Sequence, residues 1–167
     1  MDTASDLQSL SVIPIRIEED ICPGDDIVGK LIRALTDRQA NLMSGDILIV
    51  KHKIVSKAEG QFVELDRVQP SEASRAWAQR YGLDARTTEV ALMHSKRIVR
   101  QERGVLITQT KHGFVCANSG VDVSNVDGGQ RALLLPDDPD GSARRIQSEI
   151  ERRLQLYVPV IITDTFG

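Results

Sequence analysis

Asp122 in the stretch SGVDVSNV and Asp164 in IITDT are the residues of this sequence best suited to chemistry. Each follows a run of small or β-branched residues, and Asp164 closes an apolar strand pattern. Thr165 adds a hydroxyl, and Ser124 and Asn125 offer further oxygens. Two carboxylates with such neighbours are the hard donors that magnesium or manganese takes when it also carries nucleotide phosphates. The glycines around Asp122, in Cys116–Gly129 (CANSGVDVSNVDGG), would let backbone N–H groups approach an anion. The same spacing admits a plainer reading, with Asp122 and Asn125 in Asx-type turns and Asp164 as a solvated strand end.

Lys51, His52, Lys53 and Lys57 form a basic cluster beside an apolar strand pattern that ends at Val50. If the strand continues, alternation puts Lys51, Lys53 and Lys57 on one face. Such a row could bind phosphate or could blunt an exposed sheet edge, and the pattern leaves both open. His112, beside a glycine in KHGFVC, reads as a turn residue. Two tempting motifs fail. Gly24–Lys30 fits GxxxxGK, but Leu31 stands where a hydroxyl would hold magnesium, and Asp25 and Asp26 would repel phosphate. Pro136–Gly141 (PDDPDG) in calcium-loop register would need Pro136 as first ligand and Gln147 as last, and neither suits. Those acids fit the start of the following helix instead.

The elements that must position these residues read as an α+β arrangement of mixed and antiparallel sheets with helices. Val12–Ile17 alternates like an edge strand that begins near Pro14. A helix follows with Ile27, Val28, Leu31, Ile32 and Leu35 on one face. The strand at Gly45–Lys57 turns at Ala58–Gly60, and QFVEL pairs back on it. Ser71 starts a helix with Ala73, Trp77 and Tyr81 inward and Gly82 as its stop, and Asp84 caps a second helix through about Met93. RIVRQ and GVLITQT make a hairpin, GFVCANS a third strand and ALLLP a short buried one. A helix with Ile146, Ile150 and Leu154 inward then leads to the final strand VPVIIT. That strand stops just after its acidic tip, as the front part of a longer protein would.

With 167 residues, the chain suits one domain. Apolar residues at 41% can build a core, which must rest on aliphatic side chains because aromatics are only 4%. A net charge of -3, from 21 basic and 24 acidic residues spread along the chain, argues against a nucleic-acid binder. No apolar run is long enough to span a bilayer, and the polar start carries no signal peptide. Cys22 and Cys116 read as reduced thiols of a cytoplasmic protein.

Taken together, GDILIVKHKIVSKAEG, KHGFVCANSGVDVSNV, LLLPDDPDGSARRI and VIITDTFG resemble, in that order, the coenzyme F420-0:L-glutamate ligase (F420 γ-glutamyl ligase) family. The likeness runs from about Pro23 to Gly167. It implies the α+β γ-glutamyl ligase fold, with residues 1–167 as the N-terminal part of a longer family domain, and a homodimer. It implies a reaction in which GTP activates the phospholactyl carboxylate of coenzyme F420-0 as an acyl phosphate. L-glutamate then displaces phosphate, and further γ-linked glutamates can follow. Magnesium or manganese is expected, with potassium as a further ion. By position, the resemblance makes Asp122 and Asp164 metal ligands and Thr165 a ligand of a second metal. It makes His52, Lys53, Lys57 and Asn125 GTP contacts, and it assigns no catalytic residue. Two departures stand out. Where the family carries a Gly-Leu/Ile-Pro segment, this chain reads IEEDIC (Ile17–Cys22), and the family continues past the position of Gly167. Two alternatives remain at this level: a truncated, non-catalytic homologue that dimerises or binds nucleotide, and a related amide ligase with another acid acceptor.

Overall fold

In the computed structural model, residues 10–123 and 129–164 are described. The chain first becomes regular where a carboxylate meets a helix start. The Asp26 side chain accepts a hydrogen bond from Gly29 N at 2.9 Å and caps α1 (Ile27–Asp37). Strand β1 (Leu48–Lys51) and helix α2 (His52–Ala58) follow without a break, then β2 (Phe62–Glu64), α3 (Glu72–Tyr81) and α4 (Ala85–Met93). Next come β3 (Ser95–Glu102), β4 (Val105–Thr110) and β5 (Val115–Ala117), a 3-10 turn at Asn118–Gly120, and β6 (Arg131–Leu133). Helix α5 (Pro139–Leu154) and strand β7 (Val160–Thr163) complete the order.

The strands form small sheets of both orientations, which makes the fold α+β. β1 lies parallel to β7, β2 antiparallel to β6, and β3-β4-β5 form an antiparallel meander. The hairpin, the third strand and four of the five helix positions, all but α2, agree with the sequence reading. Ser71 caps α3, Gly82 ends it in the left-handed region, and Asp84 caps α4.

Five local expectations are overturned. Val12–Ile17 forms no strand pair among the described residues, with Val12 and Ile13 exposed; its Pro14 carbonyl accepts instead from Arg38 Nη1 at 3.1 Å. The strand through Lys51 does not continue. His52, Val55 and Ser56 are buried at helical spacing, so the β-branched Ile54 and Val55 were drawn into a helix by packing rather than into a strand by propensity. With β1 diverted, β2 pairs with β6, Phe62 opposite Leu133. On α3 the inward residues are Ser74 and Ala78, and Ala73 faces out; on α5, Leu154 is exposed, one residue before the left-handed C-cap Gln155.

One core gathers Val28, Leu31 and Leu35 of α1, Val50, Val55, Ile146 and Ile150 of α5, and Val158. Burying each such side chain contributes about 1.5–3 kcal/mol before entropy is counted. A second cluster joins Leu65, Val90 and Ala132. No helix among the described residues is long and apolar enough to cross a membrane.

Candidate functional site

Parallel pairing sets up the site. In the β1–β7 register Lys51 lies opposite Thr163, so the next residues, His52 and Asp164, leave the carboxyl ends of the two strands side by side. That edge of a parallel sheet is where open α/β structures hold ligands. The His52 imidazole is buried, and its Nε2 lies 3.1 Å from Asp164 Oδ1. Burial pushes the imidazole below the ordinary histidine range, against the pull of the Asp164 carboxylate, with Lys53 pushing the same way as burial and Asp122 opposing it. The neutral ring donates through Nε2–H to Asp164.

Lys53, the next residue of α2, places its ammonium on the Asp122 carboxylate. Asp122 itself is fixed through its backbone. Its N–H donates to Leu133 O at 3.0 Å, and Leu133 N–H donates back to Asp122 O at 2.7 Å, an antiparallel bridge onto the end of β6. The approach to it is a left-handed turn: Asn118, Ser119 and Gly120 have φ of 51°, 56° and 72°. Holding a non-glycine residue there costs about 1–2 kcal/mol. The buried Ser119 hydroxyl offsets this by donating to Ala91 O at 2.7 Å and meeting Thr108 Oγ1 at 2.7 Å. At Gly120 a Cβ would meet Leu135 Cγ at 2.8 Å, so the backbone approach needs glycine.

Asp122 and Asp164 therefore converge on adjacent residues of one helix start. Neither is a solvated turn acid: their side chains are 20% and 19% exposed, and each faces a cation or an imidazole. As donors they suit a hard divalent ion in kind, carboxylate oxygens that meet the neighbouring residues His52 and Lys53. Among the described residues no three His, Cys, Asp or Glu side chains form a ready-made cage. Because α2 is a helix, Lys53 and Lys57 share a face at i, i+4 while Lys51 stays on the strand; the single strand face of Lys51, Lys53 and Lys57 does not exist. Asn125, Ser124 and Thr165 lie outside the described residues.

Sequence reasoning missed Cys116 as a neighbour of the site. Its thiol is buried, and burial, then the Asp164 carboxylate, push its pKa up, so it stays protonated. Its position at the end of the strand-like GFVC run was the only signal. The rejected motifs resolve as ordinary contacts. Lys30 donates to Glu19 at 2.7 Å and lies 3.3 Å from Asp25, so Glu19 of Ile17–Cys22 and Asp25 occupy the lysine of the GxxxxGK match. Asp138 caps α5 through Gly141 N at 2.9 Å, and Asp137 holds Lys111. A shallow cleft of about 800 Å³ opens at the far end of α2, between α1 and α5, but its charges pair among themselves, Arg145 with Glu59 and Arg152 with Glu149, both at 2.6 Å.

The family model of the F420-0:Gamma-glutamyl ligase matches residues 15–167. The chain is 40% identical over 161 residues to the coenzyme F420:L-glutamate ligase of Methanopyrus kandleri, covering 96% of this chain and 62% of that one. It is 42% identical over 144 residues to the protein of that name from Methanothermobacter thermautotrophicus, covering 86% and 57%. With the protein of that name from Methanocaldococcus jannaschii it shares 41% identity over 129 residues, covering 77% and 51%. The aligned part thus spans about half to three fifths of the length of these curated relatives.

Proposed function

Because the chain belongs to the F420-0:gamma-glutamyl ligase family, we propose that it serves the GTP-dependent addition of L-glutamate to the phospholactyl carboxylate of coenzyme F420-0. The observation that carries this reading is the meeting of Asp122 and Asp164 on His52 and Lys53 at the carboxyl end of the β1–β7 pair.

The chemistry has to bring two anions together. A carboxylate oxygen of F420-0 attacks the γ-phosphorus of GTP, the bond to the β–γ bridging oxygen breaks, and GDP leaves. The glutamate amine then attacks the acyl carbon, and phosphate departs as the amide forms. Both steps concentrate negative charge, so the protein's part is placement and charge compensation. Lys53 swings its ammonium between Asp122 and incoming phosphate, and Lys57, one turn on, extends the positive face. His52, neutral and buried, donates to Asp164 and fixes that carboxylate's direction. Asp122 and Asp164 would hold magnesium or manganese, with Thr165 beside them in sequence. Bound there, the ion supplies Lewis-acid charge stabilisation on the transferring phosphoryl group. Two carboxylates rather than a full cage suit an ion that takes its remaining ligands from phosphate and water. Asn125 as a GTP contact, potassium as a further ion and a homodimeric assembly belong to the same reading.

The test is mass spectrometry of F420-0 incubated with the protein, GTP, L-glutamate and manganese. A gain of one glutamyl unit is expected. Asp122→Ala and Asp164→Ala should each reduce it at least a hundredfold while circular dichroism stays unchanged. An active double variant would remove both residues from the mechanism.

A further inference from the structure

A small cavity lies between the β4–β5 turn and the segment that follows β6, away from the His52–Asp164 pair. It is lined by His94, Thr110, Lys111, His112, Ser119 and the Leu134–Leu135 pair, and it holds about 10 Å³. That is close to the least volume that accommodates one water. Two buried polar atoms in its wall have no hydrogen-bond partner among the described residues, Thr110 Oγ1 and His112 Nδ1. Thr110 is only 2% exposed.

Other polar groups in the wall are already engaged. The Ser119 hydroxyl donates to Ala91 O and accepts from Thr108 Oγ1, since Ala91 O can only accept. The Lys111 ammonium is on Asp137. The His112 ring lies with Nε2 at 3.0 Å from Asp137 O. A carbonyl only accepts, so Nε2 carries the proton, and in the neutral ring Nδ1 presents a lone pair. Thr110 Oγ1 has both a proton and lone pairs to offer. An acceptor and a hydroxyl left over around a one-water space, with a second imidazole, His94, in the wall, match the two to four partners that an internal water takes.

We propose that this cavity is a binding site for one ordered water, which donates to His112 Nδ1 and bonds Thr110 Oγ1. The water ties the β4–β5 turn to the end of β4, beside Ser119. Thr110 and His112 hold the water in this arrangement and touch no reacting atom.

Thr110→Val separates the alternatives by sign, because valine keeps the shape and loses the hydroxyl. With the water in place, the substitution strands it and should lower the melting midpoint by about 2–6 °C, and Thr110→Ser should restore most of the loss. Without the water, the substitution removes a buried hydroxyl that had no partner, and the midpoint should hold or rise. A crystal structure of the unsubstituted protein at about 1.5 Å supplies the second readout. Density within hydrogen-bonding distance, about 2.7–3.2 Å, of both atoms supports the site. An empty cavity, or a Thr110→Val midpoint that is unchanged or raised, overturns it.

Discussion

His52 shows how one side chain can be set by opposing fields. Burial is the larger influence and favours the neutral ring, while the Asp164 carboxylate favours the imidazolium. The folded pKa lies below the reference value of 6.5, so on acidification the unfolded chain takes the proton first. The stabilisation is therefore complete above about pH 6.5 and is lost as the pH falls through the folded value. In metal-free protein, an NMR titration should place the His52 midpoint below 6.5. The urea midpoint should fall more steeply between about pH 7 and 5 than that of His52→Asn. A His52 titration at or above the reference value would contradict the burial argument. The two aspartates stood out in the sequence as residue types, by their hydroxyl and amide neighbours. Their partners did not, because Lys53 and Asp122 are far apart in sequence and only packing brings them together.

At the scale of elements, the turn before Asp122 and the α1–α5 contact invite separate tests. Gly120→Ala puts a methyl group 2.8 Å from Leu135 Cγ at a φ of 72°. It should cost about 2–4 kcal/mol in chemical denaturation. Gly113→Ala is the control: its φ is 96°, but nothing lies within 4 Å of the added Cβ. Only the conformational cost, about 1–2 kcal/mol, should appear there. Equal losses at the two positions would show that Leu135 gives way. Between α1 and α5, Arg152 and then Arg153 hold the Glu149 carboxyl down to about 2. Arg153 also donates to Asp26, the cap of α1, at 2.7 Å. A lowered carboxyl stabilises fully above its unfolded value and loses that contribution as the pH falls through the folded one. Glu149→Gln should make the urea midpoint less sensitive to pH between about 4.5 and 2. An unaltered slope would mean that the two arginines do not hold Glu149 down. The capped helix starts were readable because N-capping is a short-range pattern. The end of β1 was not, since HKIVSKA carries both strand-forming residues and helical spacing, and burial of His52, Val55 and Ser56 decided between them.

For the whole molecule, the site is a meeting of distant segments: the start of α2, the bridge onto β6 and the end of β7. A ligand bound to all three stabilises the folded chain by mass action. Manganese with GTP at about a hundredfold excess over the dissociation constant should raise the melting midpoint by roughly 5–10 °C. EDTA should reverse the shift, and Asp122→Ala should abolish it. A shift that survives the substitution would place the nucleotide elsewhere. The α+β class, the capped helix starts and the hairpin followed from the sequence alone, because each rests on side-chain periodicity or chemistry within a few residues. The order of its motif blocks also carried the family likeness. Only the tertiary structure decided that β2 pairs with β6, that β1 gives way to a helix at His52, and that Asp164 meets His52 while Asp122 meets Lys53. Those outcomes depend on which surfaces bury one another across more than a hundred residues in the case of β1 and β7, and local pattern does not encode that choice.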